Sequence, residues 1–425
     1  MFPKQVLSIS AFRALWLGQA ISQLGDSFYY VVNAFMIKKL TGSAAMVGFN
    51  GVLECLPFLL IGPFAGVLAD RLDRRRIMIA SDLACFLTLL GLGLVVFLRP
   101  VPPVEAILAT SALMFIARSF FLPSKNAAIP SIVPQDLLLK ANAASAFTQN
   151  FVPMIGLALS AGVLGILYSI STTWFFLSAI LVNSLSFLGS ALFVRQLPAL
   201  RAERTDRPKS AMKELRAGLG YVRHNHLLKL LVIQGALINL MVAPFFVAYV
   251  AANEAWFGGK PQTLSWLEFT FFAGMIGGSV AVGAMKSKRV GAPYMIGLAV
   301  VGLTVAAMGL VKSLPLWVVW NLLAGLGLPF AQIPVQSYVQ ATVPDAFRGR
   351  VQSVFSMAGI GMQPLGLALG GVMVDRIGLV ASFLVMGLGM SAPLLIGALD
   401  HDFRSARLPE HEAPYDVAGD PVAAS

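Results

Sequence analysis

The sequence predicts an all-α membrane protein of twelve transmembrane helices arranged as two pseudo-symmetric six-helix bundles. Three observations carry that expectation. The 425 residues have a mean hydropathy of +0.78 and only 12% charged side chains, more apolar than a soluble core requires. The apolar runs repeatedly reach the about 20 residues that a helix needs to cross hydrocarbon, and they lack the period-2 alternation of a barrel strand. Lysine and arginine fall unevenly on the two sides of those runs, which is the signature of membrane orientation.

Taken in order, the expected spans are 11–37, 44–69, 77–98, 104–126, 143–168, 173–195, 227–252, 264–285, 292–311, 315–341, 352–374 and 379–399. The first follows Lys4 and Arg13, is too long for a cleavable signal and lacks a clear small-residue cleavage site, so it is expected to be retained. Alternating these spans puts 24 of the 31 lysines and arginines on one side, Lys125 among them, and six on the other, with Arg118 left inside a helix. Both termini are therefore expected in the cytoplasm and the chain in the inner (plasma) membrane. The same placement accounts for the basic excess without nucleic acid. Cys55 and Cys85 fall inside apolar runs and read as small hydrophobes.

Residues 196–226 form the long polar interior stretch, with Pro198 and Pro208. We expect a first bundle at 1–195, a cytoplasmic inter-bundle loop at 196–226, a second bundle at 227–400 and a disordered cytoplasmic tail at 401–425. An offset of 210 aligns the halves: Val133-Pro134 with Val343-Pro344, and the "GLAL" at 156–159 with that at 366–369. Such duplicated halves are one known transporter architecture, with a substrate site between them near the midplane.

An ionisable side chain in hydrocarbon costs about 3 kcal/mol or more on insertion scales, so each one needs a reason. Asp26 and Glu54 are the candidates for proton coupling, Asp26 first, because burial disfavours a carboxylate's charged form. Asp82 and Arg118, counted along their helices, share a depth and are expected to pair. Glu268 is expected close enough to the outer surface to be solvated. Gln332, Gln336 and Gln340 recur at i, i+4 and i+8 on one helix face. These glutamines, with Asn239 and Asn321, either hydrogen-bond a substrate or join helices. Tyr29, Tyr30 and Phe245, with Phe28, Phe147, Phe151, Phe246 and Trp320, are candidates for lining an apolar cavity.

The concentration of charge in "GVLADRLDRRR" resembles the loop between helices two and three of the major facilitator superfamily. Gly66, Asp70, Arg71, Arg74 and Arg75 match that pattern, while Asp73 stands where the family usually has glycine. "SQLGDSFYYVVNAFMI", "RSFFLPSKNAAIPSIVPQDLLLKANA" and "VPDAFRGRVQS" resemble the exporter branch that includes macrolide and enterobactin exporters, proton antiporters. The resemblance implies that the Asp70 loop is a cytoplasmic gate clamping the two halves. It further implies secondary active transport: proton-coupled efflux of a drug, macrolide or siderophore by alternating access.

The expected partners are thus a small amphipathic substrate, protons and membrane lipids, with the chain a monomer. A lipid or lysophospholipid transporter and a non-transporting membrane scaffold are the alternatives. No Walker loop, GxSxG elbow or HExxH is present, so neither an enzyme nor a cofactor is expected. His224 and His226 form an HxH without a third ligand nearby in sequence, and no metal is expected.

Overall fold

The computed structural model describes residues 4–69, 71–99, 101–200, 211–285 and 289–407. The described chain is almost entirely helical: α1 (Lys4–Leu7), α2 (Ser10–Thr41), α3 (Ala44–Ala69), α4 (Arg74–Leu98), α5 (Val104–Ile132), α6 (Leu138–Ile170), α7 (Thr172–Val194), α8 (Ala211–His224), α9 (His226–Trp256), α10 (Pro261–Ala284), α11 (Gly291–Leu310), α12 (Leu314–Thr342), α13 (Asp345–Leu399) and α14 (His401–Ser405). Among the described residues, nine helices are long and apolar enough to cross a membrane. One of them, α13, is two helices joined at Gly378, whose φ of 77° breaks the helical path. Helices α2 and α6 have the length, at 32 and 33 residues, without being among the nine. The expected count of twelve therefore exceeds what length and composition alone support.

Local chemistry explains the boundaries. Gly42 ends α2 in the left-handed conformation and returns its N–H to the Lys38 carbonyl, a glycine stop. Asp73 caps α4 by accepting the Arg75 N–H at 3.0 Å, and its Oδ1 also accepts the N–H of Leu200 at 3.1 Å. The acid that departs from the family's glycine thus fastens the start of α4 to the chain leaving α7. Asn225 caps α9 in the same way through the Leu228 N–H.

The 210-residue offset reappears in the helices themselves. Helices α5 and α12 begin and end 210 residues apart, and their caps are Val133 and Val343. Gly156 of α6 lies against Ser27 of α2, and its counterpart Gly366 of α13 lies against Leu240 and Ala243 of α9. The same small residue therefore serves the same crossing in each half, with the first helix of each half as its partner.

Two expectations about the polar segments need correction. Half of the inter-bundle stretch, Ala211–His224, is the helix α8, which lies against α13 through Gly218 at Arg350 and through Tyr221 stacked on Phe347. Basic residues and a strong apolar face coexist there because helical periodicity sorts them onto opposite sides. The tail is not featureless from 401: α14 is capped by Asp400 and buries Phe403 completely, beneath Tyr294. One aromatic residue suffices to dock a single turn. Residues 408–425 of the expected tail, and 201–210 of the expected loop, lie outside the described residues.

The halves meet along α3 with α13 and α6 with α10. At the end of the bundle that holds Gly42, one continuous apolar core includes residues of both halves, from Tyr29 and Phe175 to Trp317 and Phe383. At the opposite end, which holds Arg74, the cores are separate, one around Phe12 and Met78 in the first half and others around Leu231 and Val351 in the second. The molecule is thus fused at one end and parted at the other.

Candidate functional site

Between the halves lies a cavity of about 440 Å³, within the range of small-molecule sites. Its wall comes from α2 (Gln19, Gln23, Asp26, Tyr30), α4 (Asp82), α5 (Phe115, Arg118, Lys125), α6 (Gln149, Pro153), α7 (Phe187) and α10 (Glu268, Phe272). Its central feature is an ion pair: Arg118 Nη1 stands 2.8 Å from Asp26 Oδ2, with the two side chains 31% and 21% exposed. The guanidinium also lies 5.4 Å from the Phe115 ring centre and 5.9 Å from that of Phe187, so aromatic faces complete its surroundings.

This pairing corrects the expectation that Arg118 meets Asp82. Counting from the inner end of the expected 11–37 span puts Asp26 in the outer half, but α2 runs on to Thr41, past the expected outer end. Measured from its Gly42 end, Asp26 lies about 22 Å down and Arg118 about 21 Å down α5 from Val104, the same depth. Asp82 lies buried on the same cavity, 3% exposed, and its Oδ2 has no hydrogen-bond partner among the described residues.

Glu54 occupies a second cavity of about 300 Å³ nearer the Gly42 end, together with Asn50, Cys55, Asn239, Phe246 and Gln363. It accepts hydrogen bonds from Asn50 at 2.7 Å and Asn33 at 3.3 Å. Tyr30 stands between the two cavities and lines both, its ring stacked on Phe246 of the other half at 4.7 Å.

The other expected cavity residues divide. Tyr30 and Asn239 line cavities. Tyr29 is buried in the shared core, and Phe245 packs on Tyr249 and Phe383. Asn321 is fully buried, donating to the Trp317 carbonyl and accepting from the Tyr249 hydroxyl, which makes it a brace between α9 and α12. Gln332, Gln336 and Gln340 share an exposed face of α12 and line neither of the two cavities described. Helical spacing predicted that they share a face and carried no information about which way the face turns.

Two charged cavity residues escaped sequence reasoning. Lys125 was expected as an orienting charge at the cytoplasmic edge; it is 3% exposed and lines the main cavity, because α5 runs on to Ile132 through Pro123 and Pro130. Glu268 was expected to be solvated from outside; it faces the same cavity from α10. A carboxylate about two turns from a helix end carries no mark in sequence of the side it faces.

At the Gly42 end the halves are latched. Asp375, in the first part of α13, receives the Ala44 N–H at 3.1 Å, the Ala45 N–H at 3.0 Å and the Ser43 hydroxyl at 2.9 Å. It thereby caps α3 from the opposite half, where the helix dipole favours an anion. Lys38 stands 3.6 Å from Glu254, and the Ser160 and Ser265 hydroxyls meet at 3.2 Å. Glycine makes the approach possible: a Cβ at Gly48 would collide with the Leu367 carbonyl, and one at Gly371 with Ala45. A signal for this latch was present in the sequence, since "GVMVDR" at 371–376 matches "GVLADR" at 66–71 in four of six positions.

The expected gate at the other end is only partly in view. Asp70 lies outside the described residues. Gly66 has open space beside it, and Arg71 is exposed. Arg74 donates to the Ala69 and Ala127 carbonyls and to Ser131, contacts that tie α4 to α5 within the first half. Arg75 uses its backbone N–H for the Asp73 cap. His226 bonds Asp400 at 2.6 Å, and with Asp402 these offer ligand atoms within 4.8 Å of one another on an accessible surface. His226 holds the Asp400 carboxyl below the usual carboxylate range.

Comparison with known proteins places this arrangement. The family described as transmembrane secretion effector, of the major facilitator type, matches residues 3–421. The chain is 28% identical over 387 residues to macrolide efflux protein A of Streptococcus pyogenes, covering 88% of this chain and 92% of that protein. It is 26% identical over 393 residues to the multidrug efflux pump Tap of Mycolicibacterium fortuitum, covering 88% and 91%. Among solved structures, the nucleoside transporter NupG superposes with a TM-score of 0.69 at 13% identity, covering 91% of this chain and 98% of that one. A bacterial homologue of the iron transporter ferroportin gives 0.68 at 16%, covering 93% and 99%.

Proposed function

Since the chain belongs to the transmembrane secretion effector family of major facilitator transporters, which are transporters and not enzymes, we propose that it expels an amphipathic small molecule in exchange for protons by alternating access. The observation that carries the proposal is the Asp26–Arg118 ion pair facing an apolar-walled cavity between two halves fused at one end only. With the Gly42 end outside, as the lysine and arginine distribution favours, the molecule rests open to the cytoplasm, where an efflux substrate is collected. Both termini then lie in the cytoplasm, and the chain works as a monomer in the inner membrane.

Proton coupling follows from the pair's chemistry. A proton on Asp26 removes the charge that holds Arg118, and a guanidinium freed in a cavity must find another partner or water. Substrate and proton then act on one pair in opposite senses, which gives the two states different ligand affinities. In this reading Glu54, which accepts hydrogen bonds from two asparagines at the closed end, takes up the proton arriving from outside. The relatives' names supply the cargo class, a macrolide or another drug.

The test is transport by purified protein in vesicles under an imposed pH gradient. Asp26→Asn should abolish gradient-driven movement while the protein stays folded in the membrane. Undiminished gradient-driven transport by the variant refutes the coupling role.

A further inference from the structure

Resting on the transport reading above, we infer that Glu268 selects the substrate by holding the ammonium group of an amphipathic amine at the upper part of the main cavity. Four observations lead there. Glu268 lines that cavity, and no cation lies within ion-pair distance of it among the described residues. The other charges of the cavity are unable to serve it. Arg118 is engaged by Asp26 at 2.8 Å, and along their helices Arg118 and Lys125 lie progressively further from the Gly42 end than Glu268 does. A half-buried carboxylate without a counter-ion in a largely apolar wall is costly, and an arriving cation relieves that cost.

The walls fit the rest of such a molecule. Phe272, one turn along α10 from Glu268, and Tyr30 of the opposite half line the cavity beside the carboxylate. Aromatic faces attract an alkylammonium and accept its apolar body. Below them Phe58 and Phe115 continue the apolar wall toward the Asp26–Arg118 pair. A ligand with its amine on Glu268 and a hydrophobic body of about 10 Å would thus reach the coupling pair. Glu268 comes from the second half and Asp26 from the first, so such a ligand touches both halves and senses their separation.

The inference is tested with two probes of equal shape: a dansyl amphiphile ending in a dimethylamine, and its isopropyl isostere, which carries no charge. Binding to the purified full-length protein is read by dansyl fluorescence, and transport by the same protein is read in vesicles. The unaltered protein should bind the amine at least about tenfold more tightly than the isostere, since a hydrogen bond to a charged group is at stake. Glu268→Gln should remove that preference while leaving isostere binding within about twofold, and Glu268→Asp should restore part of it. Equal binding of the two probes by the unaltered protein, or an unchanged preference in Glu268→Gln, overturns the inference. Amine-selective binding lost in Glu268→Gln but unaccompanied by gradient-driven transport supports this site and counts against the coupled-transport reading alone. Failure to bind either probe overturns the inference together with that reading.

Discussion

Removing the Asp375 carboxylate should loosen the closed end of the molecule, and the native Cys55 supplies the reporter. Asp375 receives two backbone N–H groups and one hydroxyl from the start of α3. A buried hydrogen bond to a charged group contributes about 1.5–3 kcal/mol, but Asp375 is solvent-exposed and screened, so about 0.5 kcal/mol each is appropriate. Asp375→Ala then destabilises the closed end by about 1.5 kcal/mol, raising the population open at that end about tenfold. Cys55 lines the second cavity behind the latch, 3.8 Å from Gln363 of the other half, whereas Cys85 is wholly buried. A membrane-impermeant maleimide added outside intact cells should alkylate Cys55 about tenfold faster in Asp375→Ala, with Cys55→Ser as the blank. A change of less than about twofold would show that the carboxylate does not hold the two halves together.

Further outcomes follow from other contacts. Arg118→Ala should lower stability by about 3 kcal/mol, because it strands Asp26 in the cavity wall, and adding Asp26→Asn should recover most of the loss; thermal unfolding in detergent reads both, and additive losses would contradict the pairing. Gly274→Leu should cost about 1–3 kcal/mol and lower the melting temperature, since Gly274 lies against the Leu322 carbonyl where α10 crosses α12; an unchanged melting temperature would show that the crossing tolerates a side chain. The Asp400 carboxyl is held low chiefly by its hydrogen bond to His226. Its contribution is therefore present above the ordinary carboxylate value and lost as pH falls below about 4, through the lowered value. Hydrogen exchange across 401–405, corrected for intrinsic rates, should show α14 released at higher pH in His226→Ala than in the unaltered protein; coincident profiles would refute the linkage.

Most of the long apolar helices were legible because they are written in local chemistry, whereas the extension of α5 to Ile132 and the helices α8 and α14 were not. Apolar runs, the Gly42 stop and the Val-Pro pairs at 133 and 343 are all visible within a few residues. What was not legible is the direction a side chain faces. Asp26, Asp82 and Arg118 lie at similar depth, and nothing local says that Arg118 reaches Asp26. The glutamines of α12 show a clean helical repeat yet line neither cavity described, while Glu268, with no repeat to mark it, lines the main one. Asp375 was marked by the motif it shares with residues 66–71, but its partner was not, because what it caps depends on how the halves dock.

The joining of the two halves through a single apolar core at the Gly42 end, while their cores stay apart at the other, has a bearing on bioenergetics. A plug of interlocked hydrocarbon has no continuous file of water, so an idle molecule with that end outward does not short-circuit the membrane potential. The parted end leaves the cavity between the halves reachable from that side alone, so a molecule at rest is leak-tight without being sealed to what it collects.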